Sequence, residues 1–227
     1  MPPIPFTHQL LAAFDAIEHR HEVLMDRPPV AVPRTPGWMG TALEPGEWTW
    51  AAPRGTTTSL AGPVGVQLGW ISSYIDAVAD RRDPVVIVAH EDLHELVMLV
   101  LIAHGGIRLD VLRRGDLRAG DWPRLSARLG ALAEAPVVLV SPTGSALPAE
   151  ADDASLVACI CPDDDLVRGA GDAARTHGPR VVLGCAWAGA GATVRLEPEH
   201  TAVRVQGVGR WAFSWPTLQV VKPWPIG

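Results

Sequence analysis

The stretch Trp48-Thr49-Trp50-Ala51-Ala52-Pro53-Arg54-Gly55-Thr56-Thr57-Thr58-Ser59 sets the first expectation for the fold, an apolar strand entering a Gly/Thr loop that opens a helix. A phosphate-binding loop of pattern GxxxxGK[ST] occupies such a junction. Its backbone N–H groups surround the phosphates, its lysine meets the terminal ones and its hydroxyl meets Mg²⁺. Here one glycine and the hydroxyls are present, and the lysine is not. Taken alone, the stretch suits an ordinary strand–turn–helix connection better than a working loop.

Downstream, Val66, Leu68, Ile71, Ile75 and Val78 predict a helix that ends at Asp80-Arg81-Arg82-Asp83. The uninterrupted apolar run Pro84-Val85-Val86-Ile87-Val88-Ala89 is what a strand buried on both faces requires. His90-Glu91-Asp92 follows at its carboxyl end, the edge at which open α/β sheets hold ligands, so Glu91 is a candidate site residue. A helix is expected from Leu93 to His104, stopped by Gly105-Gly106, and another from Trp122 to Glu134 with Asp121 as N-cap. Further strands are expected at Pro136 to Val140, Ser155 to Ile160 and Pro179 to Leu183, with a helix from Asp165 to Thr176 between the last two. Beyond Thr193 the chain reads as short antiparallel strands such as Thr201 to Gln206 and Thr217 to Val221. Alternating β and α followed by a β-rich end indicates an α/β fold. Its sheet is expected to be mainly parallel, flanked by helices, with antiparallel strands at the C-terminal end.

Upstream, Leu10, Leu11, Phe14, Ile17 and Leu24 mark an amphipathic helix with Thr7 as its N-cap. The proline-rich segment Arg27 to Gly37 then excludes regular structure. Residues 1–34 are expected to form a helical arm and linker, and residues 35–227 the main domain. The arm packs either on a partner or back on its own domain.

Composition narrows the classes. The 227 residues are 48% hydrophobic and 19% charged, a globular balance. A net charge of -6 gives no global attraction to nucleic acid, and the most basic stretch, Arg108 to Arg118, suits a solvated face better than a DNA groove. No apolar run is long enough to span a membrane, and Met1 to Pro5 lacks the features of a signal peptide, so a soluble cytoplasmic protein is expected. Cys159, Cys161 and Cys185 provide neither a disulfide set nor zinc-ligand spacing; the first two read as reduced strand thiols, and no metal site is expected from the eight histidines.

Several pieces recur together in one known family. Val85 to Asp92 with its helix, Gly105-Gly106-Ile107, Leu112-Arg113-Arg114-Gly115-Asp116-Leu117, Asp121-Trp122-Pro123-Arg124-Leu125 and Ala135 to Leu139 resemble the RecA-like motor domain of DnaB-type replicative helicases. Thr35-Pro36-Gly37-Trp38 and Pro45-Gly46 look like the approach to its P-loop, and the resemblance covers about residues 6 to 140. It implies a RecA-like P-loop NTPase fold using ATP and Mg²⁺. Pro53, Arg54, Gly55, Thr56, Thr57, Thr58 and Ser59 would stand at the nucleotide loop, with Thr58 on Mg²⁺ and Glu91 as the acid that activates water. Asp163 is the available substitute for the family's Walker B aspartate, and Arg204 or Arg210 for its trans-acting arginine. Threonine at the lysine position removes the main stabiliser of charge on the transferring phosphate, so hydrolysis should be severely impaired. No counterpart of the family's N-terminal domain is read in the sequence.

The leading expectation is a degenerate, non-hydrolysing protein linked to DNA replication or other DNA transactions. It would associate with itself or with a helicase-like partner through residues 6–24, with single-stranded DNA as a further ligand class. The alternatives are an active DNA-stimulated ATPase with an unconventional loop, and a purely structural module anchored by Trp211, Trp215 and Trp224.

Overall fold

The computed structural model describes residues 5–25, 57–79, 82–142, 147–160, 162, 164–177, 180–184, 192–198, 202–205, 209–214 and 219–223. Among the described residues six α-helices and nine strands follow in the order α1 (Phe6–Met25), β1 (Thr57–Ala61), α2 (Val64–Ala79), β2 (Val85–Ala89), α3 (Glu91–Ala103), α4 (Leu109–Arg114), α5 (Asp121–Glu134), β3 (Val137–Val140), β4 (Leu156–Ile160), α6 (Asp164–His177), β5 (Arg180–Gly184), β6 (Ala192–Pro198), β7 (Ala202–Val205), β8 (Gly209–Ser214) and β9 (Gln219–Pro223). The strands form one sheet in the order β3-β2-β4-β5-β1-β6-β7-β8-β9. Pairing is parallel from β3 through to β6 and antiparallel from β6 to β9.

The apolar runs explain the layering. Every residue of β2 and β4 is buried, as strands covered on both faces require. Alternation sends Val85, Ile87 and Ala89 into a larger core with α1, α2, α3 and α5, and sends Val86 and Val88 into a smaller core under α6. Fully buried Trp70, Ile71 and Ile75 seat α2 on the first face; Leu166, Ala170 and Ala174 seat α6 on the second.

The first strand is where sequence and structure part. Thr57, Thr58 and Ser59 are strand residues rather than loop residues: they pair with Val181, Val182 and Leu183 of β5. Thr58 and Ser59 also pair with Ala192 and Thr193 of β6. β-Branched threonine fits a pleated, half-buried surface, and these three positions fill the middle of the sheet. The expected strand at Trp48 to Ala51, and Pro53 to Thr56, lie outside the described residues. Elsewhere the boundaries move by a few residues. Asp121 is the first helical residue of α5 rather than its cap, and its carboxylate accepts the Arg118 backbone N–H at 2.9 Å. Thr7 lies inside the first turn of α1, whose Pro5 carbonyl accepts the His8 N–H at 2.9 Å.

Helix α1 packs on its own chain, against α3, α4, α5 and β3. Phe6, Leu10, Ala13 and Ile17 recur at helical spacing and join the larger core. Burying the three larger of them contributes roughly 5–9 kcal/mol before the entropy of ordering the helix is subtracted. Polar contacts mark both ends: the Gln9 amide donates to the Leu139 carbonyl at 2.9 Å, Arg20 pairs with Glu95, and His21 Nδ1 lies 2.8 Å from the Gly115 carbonyl. Gly115 is required twice, for its left-handed φ of 73° after α4 and because a Cβ there would collide with the α1 backbone at Arg20 and His21.

Candidate functional site: the carboxyl edge of the sheet

In an open parallel sheet, ligands sit beyond the carboxyl ends of the strands, where neighbouring strands lead to helices on opposite faces. Adjacent β2 and β4 meet that condition, since β2 leads to α3 in the larger core and β4 to α6 in the smaller one. Glu91 is the first residue of α3 and is exposed at this crevice with His90 and Asp92. Across it, Asp164 and Asp165 open α6. Carboxylates suit helix N-termini through the dipole, but the same charges oppose a triphosphate.

The β1–α2 junction decides what the edge can hold. Only Gly62 and Pro63 separate the last residue of β1 from the first of α2. Gly62 adopts φ 150°, and a Cβ there would stand 2.5 Å from the Leu196 carbonyl oxygen of β6. The buried Gln67 side chain folds back from the first turn of α2, and its Nε2 donates to the Gly62 carbonyl at 2.6 Å. The Pro63 carbonyl accepts the Val66 and Gln67 N–H groups at 3.0 and 3.1 Å. A phosphate loop needs an eight-residue GxxxxGK[ST] span whose N–H groups converge on an open hollow. This junction is short, and its own side chain closes it. No lysine or arginine occurs from Thr57 to Ala79, and the only lysine of the chain, Lys222, lies on β9.

The remaining predicted residues fall as follows. Thr58 is 1% exposed, and its Oγ1 has no hydrogen-bond partner, an interior position away from the carboxyl edge. Thr57 approaches Gly171 of α6. Asp163 lies outside the described residues. Arg204 and Arg210 are register partners on β7 and β8, with Glu197 of β6 opposite Arg204. No group of three or more His, Cys, Asp or Glu side chains able to hold a metal gathers among the described residues.

Two polar constellations escaped sequence reasoning. At the carboxyl edge, His94 Nε2 lies 2.9 Å from the Ala89 carbonyl and 3.5 Å from Ser141 Oγ. A ring nitrogen facing a carbonyl carries the proton, so it is not a base toward Ser141. Toward the other end of the helices, Asp76 of α2 accepts from His104 Nδ1 at 2.7 Å and from Arg128 of α5, whose Nε also donates to the Leu101 carbonyl at 2.8 Å. Burial pushes the Asp76 carboxyl up, but the charges and hydrogen bonds of Arg128 and His104 prevail and hold it below the usual carboxylate range. The signal for this cluster was an acid placed among Ile75, Val78 and other core positions, since a buried carboxylate needs partners.

No protein-family profile and no curated protein matches this chain. Its backbone is similar to that of a DnaB-like replicative helicase whose structure was described with its interactions with primase, at TM-score 0.62 and 14% identity. The match covers 92% of this chain and 66% of that one. The chain shares the RecA-like fold of that helicase. The ATPase domain of G40P is a second neighbour, at TM-score 0.54 and 13% identity over 73% of this chain and 84% of that one. At such identities the likeness is one of fold, and the chemistry at the carboxyl edge is free to differ.

Among the described residues no helix is long and apolar enough to cross a membrane.

Proposed function

We propose that this is a RecA-fold protein of helicase ancestry that does not hydrolyse nucleotide and works in the cytoplasm by binding a partner in DNA replication or a related DNA transaction. The observation that carries the reading is the two-residue β1–α2 junction, closed by Gln67 and devoid of lysine. Without that cation and an open nest of N–H groups, the binding and transition-state stabilisation of a terminal phosphate lose their main supports. Residues 6–24 are the proposed contact segment, either to a second copy or to a helicase-like ring, because the apolar stripe of α1, seated here on its own RecA-like domain, has the spacing of a helix that docks on such a domain.

The test is nucleotide binding and turnover on the full chain. A ligand at 100 times its dissociation constant adds about 2.7 kcal/mol, which for a chain of this size raises Tm by roughly 5–10 °C. The expected result is no shift with millimolar ATP–Mg²⁺ or ADP–Mg²⁺ and no turnover with or without single-stranded DNA. Exposed Glu91 at the crevice favours the runner-up, an ATPase with an unconventional loop. A saturable shift with turnover that disappears in Glu91→Gln would establish that reading instead. A chain that remains monomeric at high concentration and captures no purified DnaB-type helicase ring would leave only the structural-module reading.

A further inference from the structure

We draw no further inference here: the strongest candidate, the exposed arginines Arg113, Arg118 and Arg124 at the α4–α5 corner of the surface, which form no ion pair among the described residues, carries nothing because nothing in the structure shows what covers it.

Discussion

Replacing Asp76 tests the packing that holds α2, α3 and α5 in one layer. Its carboxylate lies between the His104 imidazole, whose side chain is fully buried, and the Arg128 guanidinium, 15% exposed. Asp76→Ala strands both groups, and removing one partner of such a buried pair costs about 3–5 kcal/mol. Arg128 keeps its bond to the Leu101 carbonyl, which places the expected loss in the lower half of that range, roughly 3–4 kcal/mol. For a chain of this length that lowers Tm by about 6–16 °C. The sign of the pH dependence follows from the depressed folded-state pKa. Stability from this carboxylate is fully present above the unfolded value near pH 4 and is lost as pH falls through the folded value, so the unchanged chain has an acid limb to which Asp76 contributes and the variant lacks that contribution. Urea unfolding between pH 3 and 7 reads both effects. A variant within 1 kcal/mol of the unchanged chain at pH 7, or one with an identical acid limb, refutes the role given to the cluster.

Gly62→Ala is expected to destabilise by about 1–3 kcal/mol, because φ 150° is closed to alanine and the added Cβ meets the Leu196 carbonyl; a urea midpoint unchanged within error would contradict the closed junction. Burial pushes the Cys159 thiol up to about 12, so at pH 8 peptide mapping should find it unlabelled by a maleimide in the native chain and labelled in urea. Glu91→Gln should shift stability by no more than about 0.5 kcal/mol, since Glu91 is exposed, and should leave any background phosphate release unaltered; a drop in release speaks for catalysis.

What the sequence made legible were the elements whose burial is complete. Val85 to Ala89 stands out because it is an unbroken apolar run of the kind a strand covered on both faces favours, and α5 because Leu125 and Leu132 keep helical spacing among exposed neighbours. The strand at Thr57 to Ala61 was not legible for the opposite reason. Its hydroxyls are interior yet score as polar, while the tryptophans of Trp48 to Trp50 carry the stronger apolar signal just ahead of it. The Gly/Thr run therefore reads as a loop where Thr57 to Ser59 form a strand, and Gly62-Pro63 carries no signal of its own. Asp76, His104 and Arg128 are separated by 28 and 52 residues from Asp76 along the chain, so only the packing of three helices brings them together.

The fold and a nucleotide site place different demands on the β1–α2 junction. The sheet asks only that β1 run between β5 and β6 and that α2 return across the first face, which two residues accomplish. A phosphate site asks for the reverse of good packing: a longer loop, N–H groups left open, and a cation held without a partner until ligand arrives. Those features cost stability, and a chain released from nucleotide use gains by removing them. The tight Gly62 turn, the Gln67 amide bonded to a backbone carbonyl and the absence of lysine from Thr57 to Ala79 all favour packing over phosphate binding.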